Sequence, residues 1–299
     1  MAKKSTKSGA AHQQDVARLL RVDAGFDLSA ADPESTPGFT GGKAAGEQAL
    51  AAGAKELSAL QERMFAASRG GGDDRSVLLV LQGMDTSGKG GIMRHVVGAA
   101  DPQGISHHAF KAPTPEERAH DFLWRIRRAL PGPGMLGVFD RSHYEDVLIV
   151  RVHNLVPRAT WSRRYTTIQR FEQRLIAQGT TLVKVMLHIS PDEQLTRLAA
   201  RLQRPDKYWK YNPADVDEHA MWPQYQEAYQ VALARTSVPQ APWYVVPANH
   251  KWYARWAVQH LLLQAMRDLD PQWPPAGFDV AAQQQRLAET AAREGITIS

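Results

Sequence analysis

The residues with the clearest chemical purpose are Gly83-Met84-Asp85-Thr86-Ser87-Gly88-Lys89-Gly90-Gly91. A G-x-x-x-x-G-K run between an apolar strand and a helix is the setting of a phosphate-binding P-loop. Ser76 to Gln82 supplies the strand pattern, and Ile92-Met93-Arg94-His95-Val96 reads as helix. Glycines let backbone N–H groups turn inward around an anion, the helix N-terminus adds its dipole, and Lys89 adds a point charge. Gly83, Thr86, Ser87, Gly88, Gly90 and Gly91 are therefore candidate phosphate contacts beside Lys89. Gly90 stands where Ser or Thr usually supplies a magnesium ligand, so a metal must find another anchor. Asp85 inside the loop would repel phosphate unless a divalent cation bridged the two, which makes it the candidate ligand.

A second carboxylate closes the strand Met135-Leu136-Gly137-Val138-Phe139, which ends in Asp140. An apolar strand ending in Asp is the Walker-B arrangement and places a carboxylate beside a P-loop metal. Arg141 follows it, at a strand end where ligands of open α/β sheets bind. His143 and His153 have no metal-ligand spacing and read as packing or hydrogen-bonding residues.

The stretch from Arg197 to Lys210 carries Arg197, Arg201, Arg204, Lys207 and Lys210 against one acid, Asp206. The first three, at i, i+4 and i+7, share a helix face until Pro205 breaks it. After the fourth strand of a P-loop core, such a segment reads as a lid that closes cations over phosphates and excludes water. Trp209 and Tyr211 could stack on a base or anchor the lid. Lys111, after the second strand, is a further phosphate candidate.

These side chains need a scaffold, and the pattern supplies one. Short apolar runs at 76–82, 105–111, 135–139, 182–189 and 243–246 alternate with helical stretches at about 46–67, 114–130, 161–177 and 252–269. Thr114-Pro115-Glu116-Glu117 and Ser190-Pro191-Asp192-Glu193 read as capping boxes. Strand–helix alternation predicts a parallel sheet covered on both faces. We expect an α/β, three-layer α/β/α fold with five parallel strands and a helical lid at about 197–222. Residues 1–48 read as a flexible arm, 49–270 as the domain, and 271–299 as a peripheral tail.

Composition sets the outer limits. The chain has 299 residues, a formal net charge of +5, 43% hydrophobic and 22% charged residues, and no cysteine. That balance excludes wholesale disorder, and the missing thiols exclude a disulfide scaffold, a thiolate metal site and a cysteine nucleophile. No apolar run reaches the roughly 20 residues of a membrane span, and no apolar stretch follows the basic start. The expected compartment is cytoplasmic, with no membrane partner.

Together the motifs resemble the polyphosphate kinase 2 family, relatives of thymidylate kinase. The matching runs are Gly83 to Gly91, Phe139-Asp140-Arg141-Ser142-His143-Tyr144-Glu145-Asp146, Arg204-Pro205-Asp206-Lys207-Tyr208-Trp209-Lys210, and Pro247-Ala248-Asn249-His250-Lys251-Trp252-Tyr253. The resemblance covers roughly Gly38 to Leu269. It implies reversible transfer of a terminal phosphoryl group from inorganic polyphosphate to a nucleotide, ADP and AMP among the acceptors and ATP among the products, with Mg²⁺ or Mn²⁺. Asp85 and Asp140 would hold the metal. Lys89, Arg141, Arg201, Arg204, Lys207 and Lys210 would bind phosphates, and Glu145 and Asp146 would face the nucleotide. Arg141 to Asp146 with Arg151-Val152-His153 looks like the subgroup that takes nucleoside monophosphates as well as diphosphates; that subgroup often has Asn at the position of Asp140. A homo-oligomer is expected. The alternatives are an ATP-dependent nucleoside monophosphate kinase, with the same loop and lid, and a regulator that holds a polyanion without turnover. No helix-turn-helix or stacked-aromatic module supports a nucleic-acid partner.

Overall fold

The computed structural model describes residues 16–298. Its centre is a five-stranded sheet formed by β1 (Ser76–Gln82), β2 (Ile105–Ala109), β3 (Leu136–Asp140), β4 (Thr180–His188) and β5 (Trp243–Pro247). The order is β2-β3-β1-β4-β5, and every pairing is parallel. β1 is central, and all seven of its residues are buried. Its side chains alternate between two cores, as a strand covered on both faces requires. Val77, Leu79 and Leu81 pack with α1 (Lys43–Arg69), α2 (Lys89–His95) and α7 (Lys251–Leu269). Leu78 and Val80 pack with α3 (Arg158–Ala177) and α6 (Trp222–Thr236). The three-layer expectation holds. The lid segment runs from the end of α4 (Pro191–Leu202) through a 3₁₀ turn over Pro205–Lys210 to α5 (Ala214–Ala220).

Two expectations need correction. The stretch at 114–130 is two short helices, Pro115–Arg118 and Trp124–Arg128. Thr114 and Glu117 form the full capping box. Asp121 then accepts the Leu123 amide at 3.0 Å and the Arg127 guanidinium at 2.5 Å. An aspartate that captures a local amide offers the chain an alternative to continued helix. The second correction concerns the arm. Residues 1–15 lie outside the described ones, but from Val16 onward the segment is part of the domain. Val16, Leu20, Val22 and Leu28 are buried. The Val22 amide donates to the Trp243 carbonyl at 2.8 Å, and Arg21 bridges Tyr244 antiparallel. The segment thereby covers the open edge of β5, an edge that would otherwise invite pairing with another chain. At the other end, α8 (Val280–Glu294) is largely exposed. Among the described residues no helix is long and apolar enough to cross a membrane.

Candidate active site

The P-loop follows β1 directly. Gly83 takes φ +147°, and a Cβ there would sit 2.6 Å from the Leu187 carbonyl oxygen, so no larger residue fits. Gly88 caps α2 with φ +113°. The side chain of Lys89 is buried and folds back over the loop, donating to the Gly83 carbonyl at 2.9 Å. Burial, and then Arg141, lower the Lys89 pKa, while Asp85 and Asp140 pull it up. Among the described residues no acceptor takes the amides of Asp85, Thr86 and Gly88, which leaves them for an anion.

Asp85 projects from this loop and Asp140 from the end of the neighbouring strand β3. Arg141 stands in left-handed backbone, φ +62°, and donates to Asp85 Oδ1 at 2.6 Å. Burial raises the Asp85 carboxyl, but Lys89 and Arg141 together outweigh it and hold the group below the usual carboxylate range. Glu145 lies 4.0 Å from Arg141 Nη1 on the next turn. There burial wins: it raises the Glu145 carboxyl against the pull of Arg141 and Lys89. That turn is anchored from below by a buried polar set. Lys184 Nζ donates to Glu172 at 2.6 Å and to the Thr236 carbonyl at 2.8 Å, and Tyr144 donates to Glu172 at 2.7 Å.

Two cavities meet at these residues. The larger, about 760 Å³, is a cationic groove. It runs over Thr86 to Gly91 and is lined by Lys89, Arg201, Arg204, Lys207 and Lys210 from the expected set, and by Asp85, Asp140 and Arg141. The smaller, about 190 Å³, is lined by the apolar and aromatic Met84, Leu148, Ile149, Tyr225 and Tyr229 and by the acids Glu145, Asp215 and Glu218. Asp85, Arg141, Asn212 and Asp215 border both.

Three expected contacts lie elsewhere. Lys111 is exposed and borders neither cavity; its carbonyl accepts from Arg125 at 2.8 Å. Asp146 turns away to Arg164 at 2.9 Å, and burial raises its carboxyl to about 6 against Arg164 and Arg125. Gly83 borders the small cavity, and its amide already donates to the Tyr229 hydroxyl at 3.1 Å. The lid cations are also less free than their number implies. Asp206 takes Arg204 at 2.9 Å and Lys207 at 2.8 Å, while Arg201 donates to the Lys210 carbonyl and to Asp215.

Further groove cations come from outside the P-loop and the lid, Lys251 among them within the Pro247 to Tyr253 run. Arg94 in the last turn of α2, and Lys251 and Arg255 at the start of α7, also line the groove. Lys251 follows the C-terminal end of β5, the rule that flags strand ends as ligand sites. The small cavity's Tyr225, Tyr229, Asp215 and Glu218 come from lid and helix positions that no short spacing marks.

The donor set suits a hard divalent cation. Asp85 keeps one oxygen clear of Arg141, and the Asp140 side chain makes no hydrogen bond or close ion pair among the described residues. Both line the groove. No cluster of three candidate ligands exists among the described residues, so a cation held by these two carboxylates would need further oxygen ligands from outside the protein.

Comparison with known proteins points the same way. The sequence model of the polyphosphate kinase 2 family matches residues 41–274. An AMP/ADP-polyphosphate phosphotransferase of Meiothermus ruber is 45% identical over 255 residues, 85% of this chain and 94% of the relative. An ADP-polyphosphate phosphotransferase of Rhodopseudomonas palustris is 43% identical over 232 residues, 74% of this chain and 78% of the relative. The crystal structure of polyphosphate kinase 2 from Arthrobacter aurescens superposes with a TM-score of 0.90 at 57% identity, covering 92% of this chain and 97% of that one.

Proposed function

Because the chain belongs to the polyphosphate kinase 2 family, we propose that it moves the terminal phosphoryl group of inorganic polyphosphate, reversibly, onto the last phosphate of ADP or AMP. The observation that carries this reading is the pair of unlike cavities joined at Asp85 and Arg141. A linear polyanion needs a long cationic groove, and a nucleotide needs a compact pocket with apolar walls.

Phosphoryl transfer is chiefly positioning and charge neutralisation. The loop amides and Lys89 hold the donor's terminal phosphate. Arg141, fixed by Asp85 and Glu145, sits where donor and acceptor phosphates meet and draws both into line. An acceptor phosphate oxygen forms the new P–O bond as the bridging P–O bond of the donor breaks. The shortened polyphosphate leaves with the electron pair. Direct in-line transfer needs no protein nucleophile. Asp85 and Asp140 would hold Mg²⁺ or Mn²⁺, which when bound offsets phosphate charge. The lid segment closes the groove and excludes water, which prevents loss of the phosphoryl group to hydrolysis. The reading carries with it a homo-oligomer in the cytoplasm and no nucleic-acid partner; light scattering after gel filtration tests the first.

The experiment is to incubate purified protein, Mg²⁺ and polyphosphate with ADP or AMP and separate the nucleotides by chromatography. The expected products are ATP from ADP, and ADP followed by ATP from AMP. Turnover of AMP with ATP but never with polyphosphate would support the monophosphate kinase alternative instead.

A further inference from the structure

Thr86 lies at the tip of the P-loop with φ +66°, a region unfavourable for a residue branched at Cβ. The peptide units on either side of it are both held by α4. Gln194 Nε2 donates to the Asp85 carbonyl at 3.1 Å, and Arg197 Nη1 donates to the Thr86 carbonyl at 2.9 Å. A peptide's C=O and N–H point in opposite directions. Holding the Asp85 carbonyl on α4 therefore fixes the direction of the Thr86 N–H as well.

The two anchors differ. Arg197 is fixed within the body of the domain, by Glu193 and by the carbonyls of Ala248 and Asn249. Gln194 is fully buried, and its other end reaches the lid. Its amide donates to Asp85, so its Oε1 must accept, and it takes the Nδ1–H of His219 on α5 at 2.7 Å. One turn earlier on α5, Asp215 pairs with Arg201 of α4 at 3.2 Å. The lid helix thus seats on α4 through two polar pairs, one of which continues into the P-loop. When α5 lifts, a buried acceptor loses its partner, at a cost that favours rearrangement of the Gln194 amide.

We propose that Gln194 is a positioning residue that couples seating of the lid, through His219, to the backbone of Asp85 and Thr86, so that the loop is set for phosphate only when the lid is down. The proposal rests on the phosphate-binding role of the groove.

The test combines substrate-free hydrogen exchange with a double-mutant cycle on Gln194→Leu and His219→Ala. Without substrate, both variants should show faster amide exchange over residues 84–88 than the wild type. In turnover, Gln194→Leu should lower kcat by about 30-fold with KM for either substrate within about three-fold, because orientation rather than binding is lost. His219→Ala should act in the same sense, and the double variant should be no worse than Gln194→Leu alone. His219→Asn, whose side-chain N–H replaces Nδ1–H, should return kcat to within about three-fold of wild type. Multiplicative effects, equal loss in His219→Asn and His219→Ala, or unchanged loop exchange would overturn the coupling. Should Gln194→Leu fail to fold, the half-buried His219 pair decides alone. A wild type that ignores polyphosphate would sink the proposed function, while the exchange data would still judge the coupling.

Discussion

The groove and the small cavity share a border but are built on opposite logic. The groove gathers cations from four places along the chain: the P-loop and α2, the Arg141 turn, the lid, and the start of α7. Its acids, Asp85, Asp140 and Asp215, sit where groove and pocket join or beside it. The small cavity draws tyrosines from α6, apolar side chains from the stretch after Glu145, and acids from α5. A polyanion of variable length is recognised by charge spread along a path, which tolerates any register. A nucleotide is recognised by shape and a few fixed polar groups. The chemistry belongs at the border, where carboxylates can hold a metal between two sets of phosphates that would otherwise repel.

The largest losses of activity belong to that border. Lys89→Ala should remove most turnover while the fold persists, since among the described residues the Lys89 ammonium donates hydrogen bonds to loop carbonyls alone. Activity within a few-fold of wild type would contradict the loop assignment. Asp85→Asn and Asp140→Asn should each cost about 10²-fold or more in kcat, because Gly90 leaves a metal without the usual hydroxyl ligand. Acting through one ion, the double variant should be far less impaired than the product of the singles. Independent effects would argue against a shared cation.

A smaller effect separates the groove from the pocket. Lys210→Ala, Lys251→Ala and Arg255→Ala should each raise the polyphosphate KM by about three- to ten-fold and leave the ADP KM nearly unchanged. The loss should shrink as salt rises, because screening weakens the same contacts in the wild type. Lys207→Ala should act in the same direction but more weakly, since Asp206 already takes part of its charge.

The smallest effect concerns stability and Asp146. Its folded pKa, about 6, lies above the ordinary 3.8. The folded state therefore holds this proton more tightly, and stability falls as pH rises through that window. In Asp146→Asn this loss disappears, so the variant's Tm minus the wild-type Tm should increase between pH 4 and pH 7. A decrease would mean that the pairs with Arg164 and Arg125 outweigh burial.

Legibility in the sequence followed contiguity. The P-loop, the Asp140 strand end and the lid are each a single run, so spacing alone exposed them and the strand–helix alternation around them. Arg94 and Arg255 enter the groove from helices whose own patterns are ordinary, and Lys251 stands in the Pro247 to Tyr253 run, where the resemblance alone drew notice to it. Tyr225 and Tyr229 look like a core stripe of α6, and Tyr229 does both jobs, buried and bonded to Gly83. Lys111 and Asp146 sit one step beyond true site elements, but the chain turns there: Lys111 outward past the edge strand β2, Asp146 inward to Arg164. The N-terminal arm misled for a compositional reason. Its Ala, Gly and Ser content hides the few apolar residues, Val16, Leu20, Val22 and Leu28, that fasten it to the sheet.

If two cavities serve two substrates, equilibrium binding to a narrowed pocket must separate them. Ile149 borders the small cavity and not the groove. In Ile149→Trp the larger ring intrudes into a cavity of about 190 Å³. Titration with ADP and, separately, with polyphosphate should show ADP affinity reduced by about ten-fold or more, with polyphosphate affinity within about two-fold of wild type. Loss of polyphosphate affinity with ADP binding intact would contradict the assignment of the two cavities.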